Sequence, residues 1–142
     1  MTRIFFYHNA ADRVAAAAAL LGKVCRQGKT ALVYAPEAAL AEALDRQLWL
    51  SPPTGFIPHV RAASPLAAET PIVITADSAA GAQSERLLNL SSQVPPAFSR
   101  FDSVIEVVGL DGDERQAARE RVGFYKDRGY AIQYFDLAEP SP

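Results

Sequence analysis

Three basic side chains recur at helical spacing near the end of the 142-residue sequence: Arg115, Arg119 and Lys126. Separations of four and seven residues place them on one face of a helix. Val122 borders this face, and Gly123 leaves a gap in it. Guanidinium groups pair with carboxylates, and a small apolar gap accommodates one hydrophobic side chain. The pattern is typical of a solvated helix face, but it also suits an acidic peptide with one hydrophobic anchor.

A tryptophan occupies an unusual position at the end of another predicted helix. On a helical projection Trp49 lies opposite the apolar stripe that includes Leu44 and Leu48. Two interpretations stay open. Either the indole folds back under the irregular segment 51–58, or it is exposed beside Phe56 as an anchor for another protein.

The two histidines do not form a recognisable catalytic group. His8 ends the first predicted strand, where a catalytic base would sit in an α/β fold, but no nucleophile motif such as G-x-S-x-G accompanies it. His59 follows a proline and has no partner at metal-ligand spacing. A structural histidine is therefore the favoured interpretation of His8, with a small α/β enzyme as the alternative.

Motifs for cofactors and metals are also missing. The segment HNAADR after the first predicted strand has no glycine, and neither G-x-G-x-x-G nor G-x-x-x-x-G-K-[ST] occurs. Asp111 and Asp113 lack the oxygen ligands of a calcium loop, so we interpret them as a turn and helix cap. Cys25, the single cysteine, excludes a cysteine-rich zinc site and is interpreted as a small buried side chain. We expect no cofactor and no metal.

The elements that would position these residues alternate between strand and helix. Strands are predicted over 3–8, 30–35, 71–76, 86–91, 103–108 and 130–137. Helices are predicted from the cap at 9–12 to Gly28, from Pro36 to about Leu48, and from about Asp113 to Arg128. Such alternation predicts one α/β domain over 1–142, with a mostly parallel sheet flanked by helices. Segments 60–70 and 77–84 are predicted to be flexible, and 138–142 to be a tail.

Composition limits the classes of function. The net charge is −2, whereas a protein that wraps DNA through its own field is usually basic. No run of apolar residues is long enough for a membrane span, and no cleavable leader is recognisable, so a cytoplasmic location is expected. Any contact with DNA should be local or made through a partner.

Four stretches of the sequence together resemble a known family, the chi subunits of bacterial DNA polymerase III holoenzyme. They are RIFFYH (3–8), LDRQLWLSPPTGFIPH (44–59), SRFDSVIEVV (99–108) and QAARERVGFYKDRGY (116–130). The most specific is the second, with its Leu-Trp pair followed by Phe-x-Pro-His. The resemblance covers nearly the whole chain and implies a fold similar to nucleotide-binding α/β proteins, without a phosphate loop.

The resemblance also implies a function. Chi subunits are non-catalytic replication adaptors that link the clamp loader to single-stranded-DNA-binding protein by binding its acidic C-terminal tail, which ends in Pro-Phe. The family's tail-binding residues match Arg115, Arg119, Val122, Gly123 and Lys126 here. Better-known members carry an aromatic residue and a lysine at the Val122-Gly123 positions, so the pocket here should be shallower and one charge poorer.

A second protein-binding surface is implied as well. The family's aromatic residues at this surface match Trp49 and Phe56, with Pro58 beside them. It would take the psi subunit, another clamp-loader component or a repair helicase. Two alternatives to the adaptor remain: direct binding of single-stranded DNA through the basic helix, and an enzyme that uses His8.

Overall fold

The computed structural model describes residues 2–50, 58–61, 64, 70–79 and 84–138. The described strands are β1 (Arg3–Ala10), β2 (Ala31–Tyr34), β3 (His59–Arg61), β4 (Ile72–Thr75), β5 (Arg86–Asn89), β6 (Ser103–Gly109) and β7 (Ile132–Asp136). The described helices are α1 (Arg13–Arg26), α2 (Ala38–Trp49) and α3 (Gly112–Asp127), with a 3₁₀ turn at Phe98–Arg100.

The strands form one sheet in the order β3-β4-β2-β5-β6-β1-β7. Every neighbouring pair runs parallel. The chain therefore crosses over through a helix between β1 and β2, between β2 and β3, and between β6 and β7. The prediction of a single α/β domain with a parallel sheet flanked by helices is confirmed.

Helices α1 and α2 cover one face of the sheet. Their inward residues include Leu21 and Leu44, which are fully buried against β2, β4, β5 and β6. Ala17 and Ala18 of α1 allow the helix to pack closely on the strands. This layer is the larger of the two parts of the core.

Helix α3 covers the opposite face. Ala118 and Tyr125 bury their side chains against β1, β5 and β6. The Tyr125 ring makes edge contacts with Phe6 and Phe98, at centroid distances of 6.1 and 5.3 Å. Because α3 lies on the other side of the sheet from α1, the crossovers leave in opposite directions at β1 and β6. The carboxyl ends of these two strands are thus the place where this fold class binds ligands.

Local sequence signals explain where the helices begin and end. The side chain of Asp12 caps α1 by accepting a hydrogen bond from the Ala15 amide. Asp111 caps α3 by accepting hydrogen bonds from the amides of the next turn. Gly28 and Gly129 follow α1 and α3 with φ of 70° and 80°, which glycine adopts without steric cost.

The structure corrects the prediction in three places. The short strand β3 was not predicted, because the three residues that form it follow an irregular proline-rich segment. Residues 60 and 61, assigned to a flexible segment, belong to this strand. Pro36 does not open α2: Glu37 occupies the cap position and the helix begins at Ala38. Residues 51–57, 62–63, 65–69, 80–83 and 139–142, which belong to the predicted irregular, flexible and tail segments, lie outside the described residues.

Candidate functional site

A cavity of about 400 Å³ opens where β1, β6 and β7 meet the first half of α3. Its lining residues come from four elements, and they are Phe6, His8, Asn9, Val108, Gly109, Arg115, Ala118, Arg119, Val122 and Tyr134. The cavity lies at the carboxyl ends of β1 and β6. This is the edge at which parallel α/β sheets usually hold their ligands.

The cavity has an apolar interior and cationic side chains on its helix side. Phe6, Val108 and Ala118 are buried beneath it, while Tyr134 is half exposed at its β7 wall. Such a cavity suits an apolar ring that carries, or lies next to, a negative charge.

Two of the predicted basic residues lie at this cavity. The Arg115 Nη2 group donates a hydrogen bond to Asn9 Oδ1 at 2.9 Å, and the side chain is exposed. The Arg119 Nη1 group donates to Gln116 Oε1 at 3.3 Å, one turn earlier on the same helix. Among the described residues, neither guanidinium forms an ion pair with a carboxylate. Both retain N–H groups for a bound anion.

The other predicted residues of the basic face lie at different distances from the cavity. Val122 is half-buried in its wall. Gly123 and Lys126 are exposed on α3 and are not among the lining residues. At ~1.5 Å per residue, Lys126 lies roughly 10 Å farther along the helix than Arg119. Lys126 would therefore meet a part of a ligand that extends beyond the cavity.

His8 lines the cavity at the end of β1, as its position in the sequence predicted. None of the described lining residues is a serine, threonine, cysteine, lysine or carboxylate. The described part of the chain holds no cluster of three or more histidine, cysteine, aspartate or glutamate side chains that fits a metal ion. His8 lines the cavity beside Asn9, Arg115 and Arg119.

The residues predicted to form a second surface lie near the end of α2 and the start of β3. Trp49 ends α2 and is 60% exposed. Its ring packs edge-on against His59, at a centroid distance of 5.2 Å. His59 itself is buried, and its Nε2 lies 3.1 Å from Asp45 Oδ1. Pro58 is exposed next to this histidine, and Phe56 lies outside the described residues.

Sequence reasoning missed several residues of the cavity. Asn9 was interpreted only as part of a helix cap, whereas it contacts Arg115 of α3 and Asp136 of β7. Phe6 and Tyr134 were assigned to strands without a role. One signal was available: the carboxyl ends of neighbouring parallel strands converge, which would have placed the segment after β1 close to the start of α3.

No described helix is long and apolar enough to cross a lipid bilayer. The fold and cavity thus define a class: a doubly wound α/β protein whose ligand edge holds an apolar, cation-rimmed cavity without a phosphate loop. Comparison with known proteins gives the family. The family model described as DNA polymerase III chi subunit, HolC, matches residues 1–133.

Similar proteins carry the same description. The chain is 32% identical to the DNA polymerase III subunit chi of Pseudomonas aeruginosa over 137 residues, which cover 94% of this chain and 95% of the relative. It is 31% identical to the subunit of Haemophilus influenzae, covering 80% and 79% of the two chains. It is 26% identical to that of Escherichia coli, covering 75% and 74%. The chain belongs to the DNA polymerase III chi subunit family, as its sequence motifs indicated.

Proposed function

We propose that this chi subunit is a non-catalytic replication adaptor that binds the acidic C-terminal tail of single-stranded-DNA-binding protein. The cavity beside α3 would take the terminal phenylalanine ring. The guanidinium groups of Arg115 and Arg119 would pair with the terminal carboxylate and with aspartates that precede it. The observation that carries the proposal is an apolar cavity with these two exposed cations at its mouth.

The chemistry of the cavity supports this ligand over a purely apolar one. A free peptide C-terminus has one carboxylate, and the aspartates of an acidic tail add more. Arg115 and Arg119 offer N–H donors that the described carboxylates do not occupy. Exposed ion pairs are weak one by one and are screened by salt, so we expect micromolar affinity. Several identical tails on one DNA-bound oligomer would raise the effective concentration.

With Val122 and Gly123, the outer part of this site should be shallower and one charge poorer than in family members with an aromatic residue and a lysine. A Cβ atom added at Gly123 would have no described atom within 4 Å beyond its own turn of the helix, so this part of the helix surface is open. We expect the ring to bind deeper, against Val122 and Tyr134, while Lys126 attracts the acidic segment through charge alone.

The second half of the adaptor function is assigned to the surface around Trp49. An exposed tryptophan at a helix end is a common anchor of protein interfaces. With Pro58 and Phe56 it would bind the psi subunit, another clamp-loader component or a repair helicase. The chain would then join the clamp loader to DNA-bound protein, and its own contact with DNA would be mainly indirect.

Arg119→Ala tests the tail site. We expect the affinity for a short synthetic peptide of aspartates ending in Pro-Phe to fall about tenfold or more, because one charge-assisted pair is lost. Isothermal titration calorimetry at low and moderate salt measures this change. Arg26→Ala is the matched control, because Arg26 is an exposed arginine at the end of α1, on the other side of the sheet.

Equal affinity of the wild type and Arg119→Ala for the peptide would overturn the tail-binding proposal. The alternative of direct DNA binding has its own outcome in the same experiment. If the purified protein binds a single-stranded oligonucleotide with a steep dependence on salt, and Arg119→Ala removes that binding, the basic helix is a DNA site instead.

A further inference from the structure

Asn9 holds an unusual backbone conformation at the end of β1. Its φ is 61°, and it is the one non-glycine residue with positive φ in the described part of the chain. Asparagine tolerates this left-handed region better than most residues, yet the conformation still costs free energy. The regular pairing of β1 with β6 is interrupted between Tyr7 and Ala10, around this residue. Residues kept in such conformations often belong to functional sites.

The Asn9 side chain joins two other elements at the cavity. Its Nδ2 group donates a hydrogen bond to Asp136 Oδ1 of β7 at 3.0 Å. Its Oδ1 accepts the hydrogen bond from Arg115 of α3 at 2.9 Å. The hydrogen bonds of Asn9 thus connect β1, β7 and α3 at one point beside the cavity mouth.

The orientation of the Asn9 amide is fixed by the chemistry of its partners. A carboxylate only accepts hydrogen bonds, so the NH₂ group must face Asp136. A guanidinium only donates, so the amide oxygen must face Arg115. Asp136 is held in turn by a hydrogen bond from the Ala138 amide at 2.9 Å. Its pKa is lowered, chiefly by the hydrogen bond from Asn9, so it remains a carboxylate at neutral pH.

The two arginines of the cavity therefore differ in how firmly they are held. Arg115 is hydrogen-bonded to Asn9 of another element, and the Asn9 side chain is itself held by Asp136. Arg119 makes a longer hydrogen bond, 3.3 Å, to an exposed glutamine on its own helix. Holding a cation in place before binding reduces the conformational entropy lost when an anion pairs with it.

We infer that Asn9 is a positioning residue that holds the Arg115 guanidinium at the cavity mouth, so that this arginine recognises the free terminal carboxylate of a bound peptide. This inference rests on the proposed tail binding and deepens it. Asn9 itself need not touch the peptide. Arg119, which is less constrained, would adapt to aspartates in the preceding segment.

The test compares two peptides with the same aspartate and Pro-Phe sequence, one with a free carboxylate and one with a C-terminal amide. Asn9→Gly is the main variant, because glycine accepts the positive φ while losing both hydrogen bonds. We expect the wild type to prefer the free carboxylate about tenfold, which corresponds to one charge-assisted pair, and Asn9→Gly to lose most of this preference. Gln116→Ala is the control: it removes the partner of Arg119 and should leave the preference unchanged.

A double-mutant cycle separates positioning from general weakening. Asn9→Gly combined with Arg115→Ala should show the same preference as Arg115→Ala alone. Asp136→Asn, which keeps an oxygen acceptor for the Asn9 amide, should retain more of the preference than Asp136→Ala. If Asn9→Gly keeps the wild-type preference for the free carboxylate, the inference is overturned. It is also overturned if the effects of the Asn9 and Arg115 substitutions on this preference multiply.

A second measurement tests whether Asn9 positions Arg115 without using a peptide. If no peptide binds, only the proposed function fails, and this measurement still applies. Nitrogen-15 NMR of the arginine side chains reports whether rotation of a guanidinium is slowed by hydrogen bonding. We expect slowed rotation for Arg115 in the free wild type, and averaged signals in Asn9→Gly. Averaged Arg115 signals in the wild type, equal to those of Arg119, would refute the positioning role.

Discussion

The buried charge at Glu106 shows how single residues hold α3 on the sheet. Its side chain is fully buried in β6 and accepts hydrogen bonds from Arg121 Nε at 3.0 Å, Tyr125 Oη at 2.8 Å and Asn89 Nδ2 at 2.9 Å. Burial raises the pKa of Tyr125, and the neighbouring carboxylate raises it further, so its hydroxyl stays a donor. A buried charge with this many donors is tolerated because its acceptors are satisfied.

This cluster also fixes which face of α3 meets the cavity. Arg121 and Tyr125 are one turn apart and point to the same carboxylate. Arg121 in addition donates to the Ser92 carbonyl at 3.1 Å. With this side of the helix bound to β6 and the segment after β5, residues 115, 119 and 122 must face β1 and β7. The network is structural, and it affects binding because it fixes the orientation of α3 about its own axis.

Arg121→Ala is expected to lower the free energy of unfolding by about 3–5 kcal/mol, because it leaves a buried carboxylate without its cation. Urea denaturation followed by circular dichroism measures the loss. Replacing both partners, as in Glu106→Leu with Arg121→Met, should recover much of it, since an apolar pair avoids the buried charge altogether. A loss below about 1 kcal/mol for Arg121→Ala would show that water or other donors compensate for the arginine.

At the scale of elements, an internal ion pair joins the first turns of α1 and α3. The α1 and α3 helices start on opposite faces of the sheet, at the ends of β1 and β6. Arg13 of α1 donates hydrogen bonds to the carbonyls of Val107 and Ser91, and its Nη1 lies 3.4 Å from Glu114 Oε1 of α3. Burial lowers the pKa of Arg13, while Glu114 acts in the opposite direction. This ion pair therefore links two helices that cover opposite faces of the sheet.

Two glycines offer a matched test of this packing. A Cβ atom at Gly109 would lie 2.6 Å from Glu114 Oε2, so Gly109→Ala should displace this carboxylate from Arg13 and cost about 1 kcal/mol. Gly123 has open space around it inside α3, so Gly123→Ala should stabilise the protein by about 0.5–1 kcal/mol through helix propensity. Urea denaturation of both variants provides the comparison. If Gly109→Ala is as stable as Gly123→Ala, Glu114 moves without loss of stability and does not hold the two helices together.

The order of elements could be predicted from the sequence, whereas contacts between distant elements could not. Alternating apolar strands and capped helices carry local signals, as at Asp12 and Gly129. The strand β3 lacks such a signal, since three residues after a proline form it only by pairing with β4. Arg121 and its partner Glu106 are 15 positions apart in the sequence, so neither segment by itself predicts this pair. Contacts between such distant residues form only in the folded chain and cannot be predicted from local sequence patterns.

The same limit applies to the candidate site. The basic spacing of Arg115 and Arg119 and the apolar character of Val122 are properties of one helix, and could be predicted from periodicity. The cavity itself depends on β1, β6 and β7, so Tyr134 and Asn9 could not be assigned to it from their own segments. The positive φ of Asn9 suits an asparagine, but it accompanies the interrupted pairing of β1 with β6, which depends on two distant segments.

At the scale of the whole molecule, the two candidate surfaces lie far apart. The cavity is at the carboxyl ends of β1 and β6, on the α3 side and near the β7 edge. Trp49 is at the other end of the strands, on the α2 side and beside β3. Six strand spacings of about 4.8 Å put the two edges of the sheet roughly 29 Å apart. The proposed adaptor function requires two separate surfaces, and this distance is consistent with it.

This separation predicts that the two surfaces act independently. Trp49 is the single tryptophan of the chain, and its exposed ring should report on its own surroundings. Adding the acidic Pro-Phe peptide should leave its emission maximum and its quenching by acrylamide unchanged, while calorimetry on the same sample detects binding. The peptide contains no tryptophan, so any change would come from the protein. A shift of the emission on peptide binding would show that the sheet transmits a change between its edges. The two surfaces would then be coupled, because occupancy of one would alter the other.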